Sequence, residues 1–88
     1  MNEPMARMRE RLSVLCPISL DIADESQRHA GHSGARDGGG HYVLAIVSQQ
    51  FTGKNTVARH RMIYSALGDL MKRDIHALTV TAHAPDEI

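Results

Sequence analysis

The side chains most able to do chemistry in this chain are its histidines: six in 88 residues, beside one cysteine and no tryptophan. A neutral imidazole is among the commonest metal ligands. His76 sits inside Ile75-His76-Ala77-Leu78-Thr79-Val80, a short apolar run. An imidazole there either meets a backbone partner or stands at a strand edge as a metal ligand. His29 and His32 lie in a polar, glycine-rich stretch. A histidine in such a stretch is either solvated or able to swing towards a fixed ligand and close a site when metal arrives. His41, just before an apolar run, is a third and weaker candidate. Two imidazoles fall short of the four ligands of a structural zinc site. Cys16, at a helix-to-strand corner with no second thiol near it, reads as a small packed residue rather than a ligand. Two imidazoles do suit one iron of a [2Fe–2S] centre of the kind in which histidines replace two thiolates, the other iron then needing thiolates from another molecule.

A second group is basic. Arg59-His60-Arg61 opens a helical stretch, with Lys54 shortly before it. Arg61 reads as a solvated charge and His60 flanks the apolar face. Arg59 projects towards the apolar side, so it ends in a salt bridge or at a partner surface. With Lys54 it is also placed to meet a phosphate backbone, a contact that positions nucleic acid without reading its sequence. Lysine plus arginine total 10 and aspartate plus glutamate total 10, so the formal charge is zero. That balance, with only two tyrosines and one phenylalanine for stacking, argues against a dedicated nucleic-acid binder. Catalysis has little support. Asp24, Glu25, Ser26 and His29 are close in sequence, but a glycine-rich stretch supplies neither a positioned base nor an oxyanion site. Gly38-Gly39-Gly40 leads into a strand pattern, not into the helix start that cradles phosphate.

These residues must be positioned by few elements, because 88 residues make one domain, taken as residues 1–88. Asn2-Glu3-Pro4 starts a helix whose apolar positions Met5, Met8, Leu12 and Leu15 recur at helical spacing, and Cys16-Pro17 stops it. Ile18, Leu20 and Ile22 alternate with Ser19, Asp21 and Ala23, as in a half-buried strand. Residues 24–40 lose all apolar periodicity and read as a flexible Gly/His-rich loop. Residues 41–48 form the most apolar strand. A short helical turn is expected near residues 52–57, with Asn55 or Thr56 as a cap. Residues 57–71 form a long helix with Ala58, Met62, Ile63, Ala66, Leu67 and Leu70 on one face, and Lys72 and Arg73 in its last turn. Residues 75–80 close the chain as a strand. The spacing predicts an antiparallel hairpin followed by a right-handed crossover to a parallel strand. The fold class is therefore α+β: helix, strand, strand, helix, short helix, strand, with a three-stranded mixed sheet and helices on one face. No apolar run is long enough to span a membrane, no signal peptide is visible, and the lone cysteine fits a reducing cytoplasm.

The central stretch resembles the BolA family. Phe51-x-Gly53, Arg59-His60-Arg61 with Tyr64 three residues on, and Ile75-His76-Ala77-Leu78 look like that family's signature. Asp24-Glu25-Ser26 upstream and Pro85-x-Glu87 downstream extend the match from about residue 9 to residue 87. The resemblance implies a fold like class II KH domains, although Gly53-Lys54-Asn55-Thr56 lacks the Gly-x-x-Gly clamp that KH modules use on RNA. It also implies an adaptor that pairs with a monothiol glutaredoxin and shares a [2Fe–2S] cluster, the partner's cysteine and a glutathione thiol holding the other iron. His76 falls on the family's strand ligand and His29 on its loop ligand, with His32 a second choice in this longer loop. Such ligation implies acid lability, because an imidazole must be neutral to bind metal. The alternative within the resemblance is a DNA-binding regulator of stress response and cell morphology. It would use a helix-turn-helix-like surface carrying Lys54, Arg59, His60 and Arg61. Many relatives continue past Pro-x-Glu with an aromatic residue, where this sequence has Ile88.

Overall fold

The computed structural model describes residues 3–25 and 40–88. Helix α1 (Glu3–Leu12) follows from the helical spacing of Met5, Met8 and Leu12, and a single 3₁₀ turn (Ser13–Leu15) extends it until Leu15 is buried. Strand β1 (Ser19–Asp24) pairs antiparallel with β2 (Gly40–Val47), from Ser19 opposite Val47 to Asp24 opposite Tyr42. Helix α2 (Thr56–Leu67) and the single-turn α3 (Leu70–Arg73) lead to β3 (Ile75–His83), which lies parallel to β2. The strand order is β1-β2-β3, so the expected mixed sheet forms.

Alternation along β2 decides where the core lies. Tyr42, Leu44 and Ile46 are buried, and they join Met8, Leu12, Ile22, Phe51, Ile63, Leu67 and Ile75 in one apolar cluster between the helices and one sheet face. Residues of opposite parity, such as Ala45, Thr79 and Thr81, are exposed on the other face. Ser48 is fully buried where β2 ends, and its hydroxyl donates to the Leu15 carbonyl at 2.6 Å while accepting from Gln50 N–H at 3.1 Å. That one side chain ties the end of β2 to the end of the first helical segment.

Five expectations change. The long helix is two helices, because Gly68 takes a positive φ of 58° and closes α2, its N–H still donating to the Tyr64 carbonyl. Apolar periodicity runs through this break undisturbed, which hides it in the sequence. The short turn expected near residues 52–57 lies earlier, at Gln49–Phe51, while Asn55 caps α2 by accepting from Ala58 N–H at 2.8 Å. Cys16 is exposed rather than packed: it turns the chain with a φ of 50°, and Pro17 after it disfavours a helical conformation there. Ile18 extends the backbone ladder by donating to the Val47 carbonyl, yet its side chain is 62% exposed. The last strand continues three residues beyond the expected Val80, to His83.

Candidate functional site

His76 owes its position to a break in register. Gly40 of β2 pairs with Ile75, but the next residue, His41, pairs with Ala77, so His76 is an extra residue without a counterpart. Such a bulge re-aims a side chain and changes which residues face each side of a sheet. Ile75 is buried, His76 and Ala77 are both exposed, and alternation resumes at Leu78. His76 therefore stands on the same sheet face as His41, and the two imidazole centres are 5.1 Å apart with the rings tilted by 45°.

The surrounding backbone is well tied. Gly40 N–H donates to the Asp74 carbonyl at 2.9 Å, and Glu25 N–H donates to the His41 carbonyl at 2.8 Å. The Asp74 carboxylate faces Arg7 of α1 at 3.6 Å. The end of β1, the start of β2 and the start of β3 thus meet at one edge of the molecule. A shallow hollow of about 80 Å³ beside them is lined by Glu25, His41, Tyr42, Val43, Ala77 and Thr79. Among the described residues, no group of three His, Cys, Asp or Glu side chains forms a complete metal site. His29 and His32 lie outside the described residues, but the chain positions that flank their segment, Glu25 and Gly40, both belong to this edge. Among the described residues, imidazole nitrogens with no thiolate beside them are the donors that one iron of a histidine-ligated [2Fe–2S] centre would take, its other iron needing sulfur from another molecule.

The basic group is divided by the fold. Lys54 and Arg61 are exposed and His60 is half-buried, its ring edge-on to Tyr64 with centres 6.2 Å apart. Val57, Arg61 and Tyr64 form an exposed stripe along α2. Arg59 does not belong to that surface. It is only 9% exposed, and its guanidinium donates two bonds to Glu87 at 2.6 and 2.7 Å. It also donates to the Lys54 and Ala82 carbonyls and lies 6.0 Å from the centre of the Phe51 ring. Of the three destinations open to it in sequence, the salt bridge is the one realised, because Pro85–Glu87 forms a 3₁₀ turn that brings Glu87 back over the start of α2. Glu87 also accepts from Ala84 N–H at 3.0 Å and has His83 Nδ1 3.7 Å away. The Arg59 guanidinium, then the Ala84 N–H, hold its carboxyl down at about 2, well below the usual range. Sequence reasoning did not assign Glu87 or His83 a role. The spacing Pro85-x-Glu87 was the available signal, since proline followed by an acid can close one turn.

No helix among the described residues is long and apolar enough to cross a membrane. Comparison with known proteins agrees with the architecture and the motifs. The model of the family described as BolA-like protein matches residues 12–87. The chain is similar to SufE-like protein 1, chloroplastic/mitochondrial, of Arabidopsis thaliana, with 44% identity over 93% of this chain but only 24% of that protein, so it spans about a quarter of that relative's length. It is similar to the DNA-binding transcriptional regulator BolA of Escherichia coli K12, with 35% identity over 92% of this chain and 75% of the relative. Its fold superposes on the solved BolA domain of SufE1 from Arabidopsis thaliana with a TM-score of 0.87 and 43% identity, covering all of this chain and 99% of the other. The bulged histidine strand, the helix that carries Arg59 in its first turn and the closing Pro-x-Glu turn all fall inside the matched span, and the chain belongs to the BolA-like protein family.

Proposed function

We propose that this BolA-like protein is a non-enzymatic adaptor. It binds a monothiol glutaredoxin and holds one iron of a shared [2Fe–2S] cluster through His76 and a second histidine, His29 or His32. The cysteine and glutathione thiols of the partner side would hold the other iron. The role would be iron–sulfur trafficking or iron and redox regulation, with the cytoplasm as the expected compartment. The observation that carries this reading is the register break that turns His76 outwards at the edge where the segment bearing His29 and His32 begins and ends. When bound, the cluster would supply electron storage and transferable iron. The chain's own part is to present an imidazole on a fixed strand.

The test is a titration of cluster-loaded monothiol glutaredoxin with this protein, followed by visible absorption and circular dichroism. A changed spectrum that His76→Ala fails to reproduce supports the shared cluster, and His29→Ala against His32→Ala chooses the loop ligand. An unchanged spectrum with no complex formed removes the adaptor reading.

A second reading has its own support: the Escherichia coli relative is named a DNA-binding transcriptional regulator. For this chain the reading would rest on exposed Lys54, Arg61 and Lys72. Withdrawal of Arg59 into the pair with Glu87 removes one cation from that surface, which weighs against it. Salt-dependent binding to duplex DNA, weakened by Lys54→Glu and Arg61→Glu, would restore it.

A further inference from the structure

We propose that the outer edge of β3 pairs with β3 of a second copy of this chain, antiparallel and centred on Thr79. Among the described residues, the sheet order β1-β2-β3 leaves one side of β3 without a strand neighbour. Along a strand, successive residues turn their N–H and C=O groups to opposite sides. The His83 carbonyl accepts the Ser48 N–H at 3.0 Å on the β2 side. Residues of the same parity, Thr81, Thr79 and Ala77, therefore bond towards β2, and Ala82, Val80 and Leu78 turn their backbone groups outwards. Ala82 fits this parity, because its carbonyl accepts from Arg59 Nη1 at 3.1 Å. That bond caps one end of the outer edge, and the bulge at His76 interrupts the other. Between them stand Leu78 and Val80.

This interval lacks the devices that usually guard an edge. Ala77-Leu78-Thr79-Val80-Thr81 holds no charged residue and no proline. Leu78 and Val80 are half-buried on the helix side, while Ala77, Thr79 and Thr81 are exposed on the other. The interval is also complementary to itself. With a two-fold axis at Thr79, Leu78 lies opposite Val80 of the second copy, the two exchanging N–H···O bonds, and Thr79 lies opposite itself. Apolar side chains then meet on the helix side and threonines on the open face, with no like charges opposed. An axis at Val80 would set Leu78 against Ala82, whose carbonyl Arg59 already holds, and an axis at Leu78 would set Val80 against the bulged His76. Self-complementarity is what a two-fold dimer requires, and an unrelated strand has no reason to share it. The paired interval spans only about 17 Å at roughly 3.3 Å per residue. Such a contact falls short of the about 800 Å² per partner of a stable complex, so the dimer forms at high concentration and dissociates on dilution.

The experiment is sedimentation equilibrium of the full chain from about 10 µM to about 1 mM, with amide hydrogen exchange read residue by residue at both ends of that range. The wild type should shift from monomer towards dimer. The Leu78 and Val80 amides should exchange at least about threefold more slowly in the concentrated sample, while those of Thr79 and Thr81, already bonded to β2, keep their rates. Thr79→Lys and Thr79→Glu should each weaken self-association at least about tenfold, since the axis sets like charges face to face. An equimolar mixture of the two variants should dimerise at least as well as the wild type. If either variant unfolds, the wild-type exchange rates decide. A chain that stays monomeric to about 1 mM overturns the proposal. So does dimerisation without protection of Leu78 and Val80, dimerisation unaffected by Thr79→Lys in a folded protein, or a mixture of the folded charged variants that stays monomeric. Edge amides protected only when a monothiol glutaredoxin is added overturn it too, and give the edge to that partner.

Discussion

Arg59 and Glu87, 28 positions apart, are joined by two parallel hydrogen bonds of 2.6 and 2.7 Å that fasten the final turn of the chain to the start of α2. The planar guanidinium matches a carboxylate in this two-pronged arrangement, and lysine could not reproduce it. The same guanidinium satisfies the Lys54 and Ala82 carbonyls, so the pair closes the corner where α2, the end of β3 and the last turn meet.

The pair gives stability a defined pH dependence. Glu87 is depressed from an ordinary 4.5 to about 2 in the folded chain. A depressed carboxyl stabilises the fold above its unfolded pKa and loses that contribution as pH falls through the folded value. Thermal melts of wild type and Glu87→Gln should differ by several degrees near neutral pH, the wild type being higher, and should converge between about pH 4.5 and pH 2. A gap that persists at pH 2 would refute the assignment. Asp69, held low by Arg11 first, then by Arg73, loses its own contribution in the same direction.

Ser48→Ala removes a donor from the buried Leu15 carbonyl and an acceptor from the Gln50 N–H. Leaving such groups unpaired costs about 1–3 kcal/mol. Chemical denaturation should show a lower midpoint with an unchanged slope, and an unaltered midpoint would mean that water replaces the hydroxyl.

Gly68→Ala forces an L residue to adopt φ 58° and ψ −129°, with its Cβ 3.2 Å from Arg11 Nη1. The arginine tip can swing aside, but the backbone conformation cannot be relieved without changing the α2–α3 junction. A loss of about 1–3 kcal/mol is expected by the same denaturation measurement.

His76→Ala separates the proposed ligand role from folding. Its side chain is exposed and lies on a bulge, so stability should change by no more than about 0.5 kcal/mol. The glutaredoxin-dependent spectral change should nonetheless vanish. A variant that unfolds would make His76 a structural residue.

The α+β class, the mixed sheet and the parallel crossover were readable in the chain itself, because period-two and period-3.6 patterns report which face of each element meets a core. Asn55 as a cap and Met8, Leu12 and Leu15 as core residues follow from the same local rules. Local rules could not show the break at Gly68, since apolar spacing continues across it while the positive φ is decided by the packing of α1, α2 and α3. Nor could they pair Arg59 with Glu87, which only the return of the chain brings together. His76 was identified by its motif, but its facing was not, because a bulge belongs to the pairing of two strands and leaves no period of its own in either. The sequence by itself therefore determined the fold class and the main strands and helices, and marked the residues able to carry chemistry. The tertiary structure alone decided that His41 stands beside His76 and that Arg59 turns inwards, because both depend on contacts between segments that the chain joins only in space.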